Sequence, residues 1–165
     1  MTTMSRPLYL FILAALTVAT SGCANRDYFE PTPLASAGNA MVYVYRPAAT
    51  NPGKKPLTLS YPEVQVDGES VGFLKYKEYL AVEVAPGKRH FRVTGLTRDA
   101  RWEPKDREYT LEAMAGESYF LRFGVEFDTA RMSLGTFRGQ YIITFHPIDE
   151  SEAVYEIRHT DPANK

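Results

Sequence analysis

The sequence has 165 residues, of which 19 are Lys or Arg and 20 are Asp or Glu, so its formal net charge is −1. This balance argues against the strongly basic surface that nucleic-acid binding requires, and we expect no nucleic acid among its partners. Hydrophobic residues make up 44% of the chain and aromatic residues 13%, with 11 Tyr and 9 Phe. Such a composition is too apolar for a disordered chain and favours β-strands.

Residues 1–22 have the layout of a secretory signal. Arg6 is the one charged residue among them, and an apolar run of 12 residues extends from Leu8 to Ala19. A helix that spans a bilayer needs about 20 apolar residues. The run therefore predicts a cleaved signal peptide and not a transmembrane anchor. Its removal leaves 143 residues, which is enough for one domain.

The chain has a single cysteine, Cys23, directly after this segment. Thr20-Ser21-Gly22-Cys23 resembles the lipobox of bacterial lipoproteins, although Thr20 stands where an aliphatic residue is usual. The resemblance implies that Cys23 becomes the N-terminus and carries acyl chains such as palmitate, and two or more chains give stable anchoring. The alternative is an ordinary secretory signal with a cysteine at the cut. Ala24, in place of the Asp that resembles a retention signal, favours sorting to the outer membrane.

Residues 23–39 are predicted to be the lipidated cysteine and a flexible tether, because residues 25–38 contain two prolines and a glycine without a sustained period. From Ala40 the pattern changes to alternation. Residues 40–165 are therefore predicted to form one domain that resembles a β-sandwich.

Seven or eight short strands are predicted in this domain, each rich in β-branched and aromatic residues and bounded by turn residues. They fall at residues 41–45, 63–66, 71–74, 79–84, 90–94, 109–113, 119–127 and 140–145. A short C-terminal helix is predicted after the last strand, with Asp149 or Ser151 as its cap. The fold class is mainly β, with the strands in an antiparallel sandwich or a barrel-like sheet.

The clearest alternation lies in residues 119–127. Leu121 and Phe123 share one face with Tyr119, Val125 and Phe127, and Arg122 is on the other. A period of two over nine residues indicates a strand, since a helix would scatter these groups around its axis. We expect the apolar face to be buried and Arg122 to face solvent.

Four segments carry a resemblance to a known family. They are Ala40-Met41-Val42-Tyr43-Val44-Tyr45-Arg46-Pro47, Val64-Gln65-Val66-Asp67-Gly68 with Val71-Gly72, Tyr79-Leu80-Ala81-Val82-Glu83-Val84-Ala85-Pro86-Gly87-Lys88, and Ala115-Gly116-Glu117-Ser118-Tyr119-Phe120. In this order they resemble an uncharacterised family of bacterial lipoprotein domains, one of the domains of unknown function. They are also loosely similar to PEGA-type β domains of cell-envelope proteins. The resemblance implies a β fold and an envelope location, and it assigns no catalytic residue.

Residues with catalytic or metal-binding chemistry form no recognisable pattern. His90, His146 and His159 have no second ligand at the spacing of a zinc motif, and no serine lies in a Gly-x-Ser-x-Gly sequence. We therefore expect neither enzymatic activity nor a cofactor nor a metal site.

The longest polar connection in the predicted domain runs from Leu96 to Arg107. It interleaves basic and acidic residues and contains Trp102, the one tryptophan of the chain. Loops of this kind often carry recognition. We expect Arg101 and Trp102 to contact a partner or a lipid headgroup. The alternative is that Trp102 caps the core.

These observations favour a membrane-anchored envelope lipoprotein with a non-catalytic binding or scaffolding β domain. Its lipid would hold it on the outer membrane, facing the periplasm, where the partner would be an envelope protein or a glycan. A structural accessory of a secretion or surface-assembly machine is an alternative, and a hydrolase is a third.

The anchor can be tested by Cys23→Ser. Serine has no thiol to alkylate, so we expect an unprocessed or soluble periplasmic form. Fractionation and gel mobility of the mutant and wild-type proteins measure this. Equal membrane retention together with equal mobility would contradict the assignment of Cys23.

Overall fold

We describe residues 28–49, 55–128 and 140–163 of the protein from a computed structural model. The predicted signal peptide, residues 1–22, and Cys23 lie outside these residues. Within the described ranges the chain forms nine strands and two helices. In chain order they are β1 Ala40–Tyr45, α1 Lys55–Leu59, β2 Glu63–Val66, β3 Glu69–Phe73, β4 Glu78–Val84, β5 Gly87–Thr94, β6 Arg107–Ala113, β7 Ser118–Asp128, β8 Gln140–Ile148, α2 Glu150–Ile157 and β9 Asp161–Pro162.

The strands form two sheets, so the prediction of a mainly β sandwich is confirmed. The first sheet has the order β8-β7-β1-β4-β9, and the second has the order β3-β2-β5-β6. Most neighbouring strands are antiparallel, as expected. Two pairs are parallel, β1 with β7 and β4 with β9. The short strand β9 was not predicted. The described strands form two open sheets and no closed barrel.

The turns follow from local sequence. Asp67 and Gly68 join β2 to β3 and have φ values of 53° and 89°. Positive φ at both central residues is the geometry of a type I′ hairpin turn, which Asp-Gly favours. This turn fixes the register of the hairpin, and with it the position of β3 at the edge of the second sheet.

A core lies between the two sheets. The alternating residues Ala40, Val42 and Val44 of β1 point into it and are fully buried. Leu121 and Phe123 of β7 join them with no exposed surface, as the alternation predicted. Tyr119 and Val125 pack against this core while partly exposed.

A second core covers the opposite face of the first sheet. It contains Met41, Tyr43 and Tyr45 of β1, together with Ala153 and Ile157 of α2. Arg122 lies on this face under α2, where its Nε is 2.8 Å from a Glu156 oxygen and its side chain is 19% exposed. The expectation that Arg122 faces solvent is therefore wrong, because the C-terminal helix returns over the face that the alternation marks as polar.

The segment that precedes β1 also packs on the second core. The Phe29 ring makes edge contacts with Tyr43, Tyr79 and Phe120, at centroid distances of 5.1, 5.5 and 6.3 Å. Leu34 packs against the same cluster. Residues 28–39, which the sequence assigns to the flexible tether, thus lie against the domain. Residues 23–27 of the predicted tether lie outside the described residues.

The burial of β7 predicts its contribution to stability. Leu121→Ala removes a fully buried side chain, so we expect it to lower the free energy of unfolding by about 2–5 kcal/mol. Glu112→Ala changes an exposed strand residue and should alter it by less than about 0.5 kcal/mol. Urea unfolding of the mature protein compares the two variants. Equal losses from both would contradict the assigned core.

Candidate functional site

The sandwich is joined on one side and open on the other. On the joined side, Arg107 of β6 donates from Nε to the Ile143 carbonyl of β8 over 3.0 Å. On the other side, β3 and β4 flank a cleft of about 560 Å³, which continues into a second of about 420 Å³. The residues that line both are Ser70, Val71, Val82 and Glu83. The open side therefore offers a continuous groove between two strand edges.

Strand β4 presents a regular edge to this groove. In the described residues, β9 pairs with β4 at Glu78 and Tyr79, and the Ala163 N–H donates to the Tyr79 carbonyl over 2.8 Å. Main-chain groups of successive residues alternate between the two edges of a strand. The N–H and C=O groups of Ala81 and Glu83 therefore point to the same outer edge as the Tyr79 carbonyl. In the part of the chain that the structure describes, no strand pairs with that edge beyond Tyr79.

Strand β3 presents an irregular edge. Its pairing with β2 shifts between Val64 and Gln65, whose partners are Gly72 and Ser70. Val71, between Ser70 and Gly72, has no pairing partner on β2 at this bulge. Bulges bend the strand and disrupt the ladder, which discourages pairing with another strand. Of the two edges that border the groove, β4 is the one suited to accept a new strand.

Three charged side chains that line the groove, those of Glu83, Asp67 and Arg89, have partners within the chain. The Glu83 carboxylate accepts hydrogen bonds from Asn39 Nδ2 and from the Ala35 and Ser36 N–H groups, at 3.0, 3.1 and 2.9 Å. These bonds lower the pKa of Glu83, and the bond from Asn39 has the largest effect. At the far end Asp67 pairs with Arg89 at 2.9 Å. The groove therefore offers main-chain groups above a lining that includes Val71 and Val82.

The loop from Leu96 to Arg107 is fixed against the domain. The main chains of Arg101 and Tyr61 exchange two N–H to carbonyl bonds of 3.1 and 3.0 Å. At its base, Asp106 accepts from Thr94 Oγ1 at 2.6 Å and from Arg92. Burial opposes ionisation of Asp106, yet these bonds lower its pKa overall. The loop is therefore an ordered part of the fold.

Trp102 of this loop lies in the core between the sheets. It is 3% exposed, and its ring is 5.4 Å from that of Phe123. A Cβ on Gly95 would lie 1.6 Å from the Trp102 carbonyl oxygen, so only glycine permits this approach. Trp102 occupies the position expected of a core cap, while Arg101 is exposed. The two predicted contact residues are adjacent in sequence but point to different environments, and partner contact by either stays a prediction.

Arg46, which the sequence showed only as part of the first family segment, stacks on Trp102. Its guanidinium carbon lies 5.4 Å from the Trp102 ring and 5.7 Å from the Tyr76 ring. It donates to the Ser60 carbonyl at 2.8 Å and to the Leu57 carbonyl. Carbonyls at the end of a helix carry partial negative charge, which stabilises a cation there. Burial lowers the pKa of Arg46 to about 10, so it is charged at neutral pH. Arg46 therefore links α1 to the loop that carries Trp102.

The histidines are dispersed. His90 lies 3.4 Å from Glu108 on neighbouring strands, and His159 accepts from Arg158 beyond α2. Among the described residues, no three His, Cys, Asp or Glu side chains come together as a metal site would require. No helix in those same residues is long and apolar enough to cross a membrane.

Fold and groove together define a two-sheet β domain whose groove is bordered by the edges of β3 and β4. The chain belongs to the family DUF2846, described as a protein of unknown function, whose match covers residues 36–136. The prediction of an uncharacterised domain family is thus confirmed. The match includes β1 to β7 and the whole groove, and β8, α2 and β9 lie beyond it. A search of curated proteins found no match.

The loop geometry predicts different roles for Arg101 and Trp102. Trp102→Ala empties a buried site and should cost about 3–5 kcal/mol of unfolding free energy. Arg101→Ala changes an exposed side chain and should cost less than about 0.5 kcal/mol. Trp102→Phe keeps a ring near Arg46 and should lose less than Trp102→Ala. Thermal melting separates these outcomes, and a Trp102→Ala protein that melts like the wild type would contradict the placement of Trp102 in the core.

Proposed function

We propose that this protein is a membrane-anchored lipoprotein of the bacterial cell envelope, whose domain binds an extended segment of a partner protein along the edge of β4. The single observation that carries the binding role is the edge at Ala81 and Glu83 beside the groove, with which no strand of the described residues pairs. The sequence of residues 1–23 supports the anchor, and the loose similarity to PEGA-type domains supports the envelope location.

An extended peptide can add to an open sheet edge as a further strand, and its main-chain hydrogen bonds then supply affinity. The outward groups of Ala81 and Glu83 supply donors and acceptors at the spacing of a ladder. Side chains of the added strand that point inward would meet Val71 and Val82, and these apolar contacts would select the sequence that binds. Such binding needs no catalytic group, in keeping with a binding or scaffolding role.

The proposal places the contact at the groove, where a photo-crosslinking residue can test it. We expect p-benzoylphenylalanine at Ser70, in the groove, to crosslink to a partner in living cells. The same residue at Glu112, exposed on β6, serves as the control and should give no such product. A constant stoichiometry would favour a structural accessory of an assembly machine over a binding protein with exchanging partners.

A pair of proline variants tests the edge itself. Ala81→Pro removes an outward N–H, so we expect the domain to keep its fold and lose the Ser70 crosslink, because proline is tolerated on edge strands. Val82→Pro removes an N–H directed at β1 and should lower the melting temperature strongly. An unchanged crosslink in a folded Ala81→Pro protein would contradict strand addition at β4, as would equal crosslinks at Ser70 and Glu112.

A further inference from the structure

Two exposed tyrosines and an arginine meet beside helix α2. Tyr28 is 68% exposed and Tyr155 is 54% exposed, and their rings pack edge to face with centroids 6.2 Å apart. The guanidinium carbon of Arg158 lies 5.3 Å from the Tyr155 ring and 6.0 Å from the Tyr28 ring. We call Tyr28, Tyr155 and Arg158 the aromatic cluster. It lies at the end of the described chain that is nearest in sequence to Cys23.

The chain length between Cys23 and this cluster is short. Tyr28 follows Cys23 by five residues, which span at most about 18 Å when fully extended. Phe29, the next residue, is held by its contacts with Tyr43, Tyr79 and Phe120. A lipid on Cys23 would therefore keep the aromatic cluster within about 20 Å of the membrane surface, whatever the conformation of the intervening residues.

The side chains of the cluster match the chemistry of a membrane interface. Tyrosine is enriched at the level of the lipid headgroups, where its ring is in an apolar layer and its hydroxyl in water. The arginine stem can lie in the apolar layer while its guanidinium stays at the level of the headgroups. Arg158 also donates from Nε to His159 over 3.1 Å. The acid Glu156 is turned away from this surface, since it binds Tyr45 and Arg122.

We propose that the aromatic cluster docks on the phospholipid headgroups of the membrane that holds Cys23, so that the outer face of the first sheet turns toward the bilayer. This inference rests on the proposed lipid anchor. Exposed Glu152 lies one turn before Tyr155 on α2, and its charge is opposite in sign to that of Arg158. Insertion of the two rings, and not net charge, would then hold the contact, and we expect it to persist at high salt.

Spin labels on the lipidated protein can test the orientation, because acylation leaves no other thiol in the chain. One label is attached at Glu152→Cys beside the cluster and another at Glu112→Cys on the second sheet. The proteins are reconstituted in vesicles of phosphatidylethanolamine and phosphatidylglycerol. We expect the label at 152 to collide more with lipid-soluble oxygen and less with a water-soluble nickel chelate than the label at 112.

The matched variants replace exposed apolar groups in two places. Tyr28→Ser with Tyr155→Ser should abolish the difference between the labels, whereas Leu96→Ser with Met114→Ser, which are 78% and 60% exposed elsewhere, should preserve it. Flotation of the vesicles tests the anchor separately. A protein that floats with equally accessible labels would contradict the docking alone. A protein that does not float would contradict the anchor, and the docking with it.

Discussion

Strand β1 is buried on both faces, and the rest of the structure depends on covering it. All six residues from Ala40 to Tyr45 are at most 5% exposed. A strand of this kind is stable only as the inner strand of a sheet with a layer on each side. β4 and β7 satisfy its two edges, and the second sheet covers the face of Val42 and Val44. The face of Tyr43 requires another layer.

Helix α2 and the segment around Phe29 supply that layer. Glu156 of α2 accepts hydrogen bonds from the Tyr45 hydroxyl and from Arg122 Nε, both at 2.8 Å, and so fixes the helix on the sheet. Burial raises the pKa of Tyr45, and the bond to Glu156 raises it further. The Tyr45 hydroxyl therefore stays protonated at physiological pH. The need to cover Tyr43 also brings residues 28–39 onto the domain. Residues 23–27 are then the part of the predicted tether that would separate the packed segment from the proposed anchor.

Local patterns in the sequence predicted most of the strands, because the alternation and the turn residues that define them act over a few positions. The boundaries of β1 and the Asp67-Gly68 turn agree with the structure within a residue. Long-range choices could not be predicted in this way. The parallel pairing of β1 with β7, the cover over Arg122 and the burial of Arg46 all depend on segments distant in the chain. The edge of β4 was missed for the same reason, since its cover by β9 at Glu78 and Tyr79 joins segments that are distant in the chain.

Amide hydrogen exchange across β4 tests the open edge most directly. If the edge is unpaired, the N–H groups of Ala81 and Glu83 exchange rapidly in the free protein, while those of Leu80 and Val82, which are directed at β1, are protected. Addition of the partner segment identified by crosslinking should then protect Ala81 and Glu83. Equal protection of Ala81 and Val82 in the free protein would show that the edge is already covered, and would contradict a binding site there.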